Sequence, residues 1–204
     1  MKIAWRINTE RLLLRCWSPA DAPRVIDAIG SSLEHLRRWM AWARHEPESL
    51  ERKERRLRRF RADLERGRNF VYGIFDPPGT TVLGGIGLHR RVGAGAGEIG
   101  YWIHAGSVNR GLCTEAAAAL VRVGFELLGL GRIETHCDPK NLPSAAIPRK
   151  LGFTLQVIVP GRVLHPGSPP RDAMIWALVK PDYPGTPAAT AAIEACDESG
   201  SRLL

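Results

Sequence analysis

The segment Val108-Asn109-Arg110-Gly111-Leu112-Cys113-Thr114 places a glycine and a cationic side chain directly before an alanine-rich stretch of helical composition. A helix that starts there leaves its first backbone N–H groups unpaired under a partial positive charge. Gly111 lets a ligand approach the backbone closely, and Arg110 adds a charged donor beside it. The chemistry is that of an anion site, and a pyrophosphate is its natural guest. Cys113 lies at the same helix start, where a thiol pKa falls, so it reads either as a nucleophile or as a small packing residue. His104 and His136 flank the region and read as hydrogen-bonded structural residues. Gly95-Ala96-Gly97-Glu98-Ile99-Gly100 satisfies the G-x-G-x-x-G spacing, but that motif must open a helix, and here the β-prone Tyr101-Trp102-Ile103 follows. The match is accidental. No P-loop, metal-ligand spacing or Ser-His-Asp signature is present, so no metal is expected.

These groups need elements to position them. Thr9 to Trp17 reads as a strand, with Leu12, Leu14 and Cys16 alternating against Arg11, Leu13 and Arg15. Ser18-Pro19-Ala20-Asp21 then opens a helix, with Ser18 as N-cap, Pro19 at the first position and Asp21 completing a capping box. A second helical region carries Leu33, Leu36, Trp39 and Met40. A third, about Glu48 to Arg66, aligns Leu50, Leu57, Phe60 and Leu64 on one stripe. Phe70–Phe75 and Val82–Leu88 form a hairpin around Asp76-Pro77-Pro78-Gly79, and Glu98–His104 is the next strand. Residues 114–128 are helical, Arg132–Cys137 is a strand, residues 144–151 are a short helix, and Thr154–Val163 with Asp172–Val179 close the sheet. The expected fold is a mixed α/β or α+β sheet with helices on both faces. One domain spans residues 1–180, and residues 181–204, rich in Pro, Ala, Gly and Ser, form a flexible tail.

Composition narrows the classes. There is no apolar run of membrane-spanning length, and Arg6, Glu10, Arg11 and Arg15 interrupt the N-terminal stretch that a signal peptide would keep apolar. A cytoplasmic location is expected, with Cys16, Cys113, Cys137 and Cys196 as free thiols. The formal charge of +8, from 29 basic and 21 acidic residues, favours anionic partners.

At this point the chain resembles the GNAT superfamily, in its ribosomal-protein N-acetyltransferase branch. That family's Q/R-x-x-G-x-G/A loop aligns with Val108 to Cys113. Gly111 stands, Val108 replaces the basic or amide residue, and Cys113 replaces the small last residue, which favours the packing reading for that thiol. Glu98-Ile99-Gly100-Tyr101-Trp102-Ile103 before the loop and Thr114-Glu115-Ala116 after it resemble the branch. So do Gly129-Leu130-Gly131-Arg132-Ile133-Glu134, the N-x-x-S element from Asn141 to Ser144, and Lys150-Leu151-Gly152-Phe153. Leu36 to Trp42 resembles the branch's tryptophan-containing acceptor segment. The likeness covers roughly residues 9–180.

The resemblance implies a GNAT-like, mostly antiparallel sheet with a splayed strand pair and acetyl-CoA as acetyl donor. The pantetheine arm would pair with the backbone of Trp102, Ile103 and His104, and the pyrophosphate would meet the N–H groups of Arg110, Gly111, Leu112, Cys113 and Thr114. Asn141 would bond the arm near the thioester, and Ser144 would stand close to the sulfur as the acid. Glu98 is the candidate base, acting through water, with Glu134 second; the alternative for either is a place on a solvated strand face or an ion pair with an arginine. Trp39 and Trp42 would wall the acceptor pocket. Pro148 inside the short helix predicts a kink or a late start there. The implied activity is direct acetyl transfer to a primary amine, most simply a protein N-terminal α-amino group, with a ribosomal protein as one candidate. A small amine such as an amino acid derivative, polyamine or aminoglycoside is the alternative, and a homodimer is compatible with the sequence. From another class comes a catalytically inactive RNA- or ribosome-binding module, motivated by the arginines between Glu51 and Arg68, which also read as a solvated face of i,i+3 and i,i+4 pairs.

Overall fold

The computed structural model describes residues 2–165 and 168–204. The chain opens with β1 (Arg6–Asn8) and β2 (Leu13–Cys16), antiparallel to each other. The single strand expected over Thr9–Trp17 is thus two strands, because the Thr9 N–H bonds the Leu12 carbonyl at 2.9 Å and turns the chain. The Ser18–Asp21 capping box forms as expected. It caps a 3-10 turn, Pro19–Asp21, that leads into helix α1 (Ala22–Gly30). Helix α2 (Leu33–Arg37) ends before Trp39, and a second 3-10 turn, Ala41–His45, carries Trp42.

Helix α3 (Leu50–Glu65) starts at the Ser49 cap and buries Leu57 and Leu64. Its charges are widely engaged: Arg58 binds Glu54 at 2.8 Å and Arg61 binds Glu65 at 3.1 Å, while Lys53 and Arg56 reach Glu46 and Glu48. Strands β3 (Asn69–Phe75) and β4 (Val82–His89) form the expected hairpin, followed by β5 (Ala96–Ile103). Helix α4 (Leu112–Arg122) continues into a π-helical turn, Val123–Leu127. Then come β6 (Arg132–Cys137), α5 (Leu142–Lys150), β7 (Thr154–His165) and β8 (Ser168–Val179).

The segment after Lys180 departs from expectation. It forms β9 (Glu194–Cys196), which pairs antiparallel with β1, and it buries Tyr183, Ala188 and Ala195. Small residues there pack closely enough to compensate for the scarcity of large apolar ones, and main-chain bonds extend the sheet. The tail is part of the fold, so the boundary expected at residue 180 does not separate a packed from a loose region.

The nine strands among the described residues lie in the order β7-β8-β6-β5-β4-β3-β2-β1-β9. One neighbouring pair, β5 with β6, is parallel, and its register covers Ala96↔Arg132, Gly97↔Ile133 and Glu98↔Glu134. Beyond Glu98 the two strands diverge: β5 stays with β4 as far as Ile103↔Gly84, whereas β6 stays with β8 as far as Cys137↔Met174. The result is a V-shaped opening in an otherwise antiparallel sheet. Alternation along the strands feeds two cores. Phe70, Tyr72, Ile74, Ile86, Leu88 and Ile99 pack with the alanines of α4, while Trp17, Val25, Ile29, Leu57 and Phe75 pack on the α1 and α3 side. Among the described residues no helix is long and apolar enough to cross a membrane.

Candidate functional site

Two cavities meet at the opening of the V. On the α4 and α5 side lies one of about 370 Å³, bordered by the loop from Ser107 to Thr114 and by Asn141, Ser144 and Ile147 of the following helix. On the α1 and α3 side lies one of about 440 Å³, bordered by Glu98, Gly100, His136, Trp42 and Phe60. Met40, Tyr101, Trp102 and Ser144 line both.

The loop has the geometry of an anion site. Asn109 and Gly111 have positive φ values of 60° and 75°, and Gly111 is the N-cap of α4. The glycine is therefore required by the backbone conformation as well as by close approach, since a Cβ in this region is strained. The first bond inside α4 runs from the Glu115 N–H to the Gly111 carbonyl at 3.1 Å, so the N–H groups of Leu112, Cys113 and Thr114 have no carbonyl in a preceding turn to bond. Glu115 ties this helix start to the β1–β2 turn, accepting from Thr9 Oγ1 at 2.6 Å and from Arg11 N and Nε at 2.9 and 2.7 Å. Arg11 Nη1 also holds the Arg110 carbonyl at 2.9 Å. Burial pushes the Cys113 thiol up to about 12, which favours the protonated thiol over the nucleophilic thiolate.

Not every expected contact residue belongs to this wall. Trp102 and Ile103 line it, whereas His104 and the Arg110 side chain do not. The His104 N–H bonds the Leu83 carbonyl at 2.8 Å, and its carbonyl accepts from the Ser107 N–H at 2.8 Å. Its imidazole accepts from Gly106 N–H through Nδ1 at 3.0 Å and meets Ser31 Oγ through Nε2 at 2.9 Å. His104 thus spends its main-chain N–H and both ring nitrogens on contacts within the protein, which leaves a lone pair of its carbonyl for a ligand. Trp39 is also displaced from its expected place. It lines the α4-side cavity, and Trp42 alone of the two faces the α1-side cavity, 6.1 Å from Trp102 between ring centroids. The extended backbone at Met40 between them, the N-cap of the 3-10 turn, sends the two rings to different sides.

Helix α5 holds two expected residues. Asn141 is its N-cap, with Oδ1 accepting from the Ser144 N–H at 3.3 Å. The helix runs through Pro148 without the expected late start. A proline has no N–H for the carbonyl four residues before it, here Ser144, and the Tyr101 hydroxyl donates to that carbonyl at 3.2 Å. Ser144 Oγ in turn donates to the Tyr101 oxygen at 3.3 Å. Burial pushes the Tyr101 phenol up, so it remains protonated.

Glu98 and Glu134 face each other as register partners and each carries an arginine. Arg91 grips Glu98 with two bonds of 2.7 and 2.6 Å, and Arg132 Nε meets Glu134 at 2.7 Å. His136 stands between, with Nε2 at 2.8 Å from Glu134 and Nδ1 at 3.9 Å from Glu98. Burial would raise Glu98, but the Arg91 bonds, helped by the charges of His136, Arg91 and His89, hold its carboxyl below the usual range. Glu134 behaves likewise: burial is outweighed by bonds from His136 and Arg132. Both carboxylates pair with arginine, yet only Glu98 also faces the cavity. Arg91 and Tyr101 were missed by motif reading. The signal for Arg91 was the β4–β5 hairpin, which returns the chain so that Arg91 meets Glu98. Tyr101 gave no signal beyond its place on the same strand as Glu98. Among the described residues no group of three or more His, Cys, Asp or Glu is placed to hold a metal ion.

A splayed mixed sheet with an exposed helix start beside the splay frames an anion site. Residues 11–154 match the Acetyltransferase (GNAT) domain family, and the chain belongs to that family. It is an N-acetyltransferase. Among its relatives, the [Ribosomal protein uS5]-alanine N-acetyltransferase of Escherichia coli is 27% identical over 181 residues, 87% of this chain and 92% of that one. In fold it is similar to RimJ of Mycobacterium smegmatis, solved with a CoA disulfide, at a TM-score of 0.79 and 22% identity, covering 93% of this chain and 95% of that one. The microcin C7 self-immunity acetyltransferase, solved with acetyl-CoA and AMP, has a TM-score of 0.75 and 20% identity, covering 84% and 93%.

Proposed function

We propose that this protein transfers acetyl from acetyl-CoA to a primary amine, a protein N-terminal α-amino group, by direct attack in a ternary complex. The observation that carries the reading is the meeting of two cavities at Tyr101, Trp102 and Ser144, one with an anion-binding helix start and one with Glu98 in its wall. The fit of acetyl-CoA to the first cavity rests on three features: the N–H groups of Leu112 to Thr114 at the helix start, the left-handed Gly111 with the Arg11 guanidinium 3.5 Å from where its Cβ would stand, and the stretch of β5 from Ile99 to Ile103 that β6 leaves unpaired. Acetyl-CoA supplies a thioester carbonyl activated toward amines.

In this reading the loop binds the pyrophosphate, and the edge of Trp102 and Ile103 aligns the arm. Asn141, already capping α5, uses its remaining amide capacity near the thioester. The amine enters from the α1 and α3 side, and Glu98 takes its proton through a water. As the new C–N bond forms and the C–S bond breaks, Ser144 Oγ gives its proton to the leaving sulfur. The acceptor class is supported by the relative whose name specifies a ribosomal protein's alanine. A thiol-release assay against N-terminal peptides, ribosomal-protein N-termini among them, and small amines tests it. Release with peptides is the expected result, and release with small amines alone would replace the acceptor.

A further inference from the structure

The cavity on the α1 and α3 side is much larger than the proton chemistry at its end requires. Three glycines make that room. Gly85 and Gly87 of β4 and Gly100 of β5 all line it, and Gly87 and Gly100 are register partners. A Cβ at Gly85 would stand 2.5 Å from Trp102 Nε1, and one at Gly87 would stand 2.9 Å from His89 Nε2. At Gly100 it would meet nothing within 4 Å, so a side chain there would project into free space. Gly100 also lacks the positive φ that would make a substitution strained.

The walls over this hollow are apolar: Trp42, Trp102, Phe60, Leu57, Ile29 and Met40. Its charged groups are matched in place. Lys53 binds Glu46 and Glu48, Arg56 binds Glu48, and Arg91 binds Glu98. Among the described lining residues no arginine, lysine or carboxylate lacks a partner, and beside the polar His89, Thr135 and His136 most of the free energy available to a ligand here is that of apolar burial.

We infer that the acceptor amine is borne by a residue with a bulky apolar side chain, aromatic or branched aliphatic, which fills this hollow, and that Gly100 sets the preference. The inference rests on the reading of this cavity as the acceptor side. An alanine methyl leaves most of about 440 Å³ empty, whereas a phenyl or indole ring removes several wall residues from water. Even one methylene in such a pocket discriminates by roughly 10- to 200-fold. The same chemistry is found in the first residue of a polypeptide and in a free amino-acid amide.

Calorimetry with and without CoA tests this without requiring turnover, using phenylalaninamide, tryptophanamide and alaninamide beside peptides that begin with Phe or Ala. The aromatic ligands should bind at least about tenfold more tightly than their alanine counterparts. Gly100→Val and Gly100→Phe should erase the preference whether or not CoA is present, because either side chain fills the hollow. A preference confined to peptides assigns a polypeptide acceptor, and one shared by the amides admits small amines. Equal affinity for Ala and Phe ligands in the unaltered protein would overturn the inference, as would a preference that survives in both folded variants. A clear preference without acetyl transfer would instead defeat the proposed activity.

Discussion

Tyr101 and Ser144 exchange two hydrogen bonds across the opening of the sheet, and one of them uses a carbonyl that Pro148 leaves free. The proline thus gives Tyr101 a fixed acceptor on α5, and the pair joins β5 to the helix at the point where the two cavities meet. Tyr101→Phe should cost about 1 kcal/mol of stability, because the part-buried Ser144 carbonyl loses its donor. Adding Pro148→Ala restores an N–H four residues on and should recover most of that loss in urea denaturation, while any loss in kcat should remain, because Ser144 Oγ stays without its partner.

The grip of Arg91 on Glu98 makes a prediction about pH. With the arginine present, Glu98 stays ionised below the usual carboxylate range. Arg91→Met removes the main force that lowers it and leaves only the charges of His136 and His89 to oppose burial, so the acidic limb of the kcat/KM profile should move to higher pH. Glu98→Gln should lower turnover by roughly a hundredfold or more, with the loss shrinking as pH rises and free amine becomes abundant. Near-normal turnover in Glu98→Gln at every pH would move the base to Glu134 or to water alone.

Gly111 is in the left-handed region, so Gly111→Ala should cost about 1–2 kcal/mol from the backbone alone. Gly111→Asp adds a charge where the pyrophosphate is proposed to sit. Calorimetry should show CoA affinity falling about tenfold for every ~1.4 kcal/mol of lost interaction, and more for Asp than for Ala. Equal losses would mean that the loop does not face the phosphates.

Trp39 and Trp42 should separate kinetically. Trp39→Ala should raise the KM for acetyl-CoA, because its ring lines the α4-side cavity, and Trp42→Ala should raise the KM for the amine. The reverse pattern would exchange the roles of the two cavities.

Glu48 is buried against Arg56 and Lys53, and its carboxyl is lowered from 4.5 to about 2, first by the Arg56 bonds against the opposing effect of burial. Its contribution is therefore fully present above about pH 4.5 and is lost as pH falls towards 2. Glu48→Gln should flatten that part of the acid-stability curve. Lys53→Met should destabilise at neutral pH by about 3–5 kcal/mol, the scale for leaving a buried charge unpaired. Thermal and urea melts across pH check both.

Local signals in the chain determined the elements and the anion loop. The Ser18–Asp21 capping box, the Asp76–Gly79 turn, the β-prone run Tyr101-Trp102-Ile103 and the glycine before an alanine-rich helix act over a few residues, and each formed where its spacing placed it. Side-chain partnerships were decided only when distant segments met. Arg91 reaches Glu98 through the hairpin register, Tyr101 reaches Ser144 because α5 docks beside the opening, and Trp39 and Trp42 part at the extended Met40 between them. His104 was spent on its own turn, which no motif could reveal. Composition suggested a loose tail, but alanine-sized side chains and backbone bonds to β1 drew it into the sheet. Periodicity and capping are short-range forces written into neighbouring residues, whereas the direction of a side chain at a splay between strands depends on what packs against it from elsewhere in the chain.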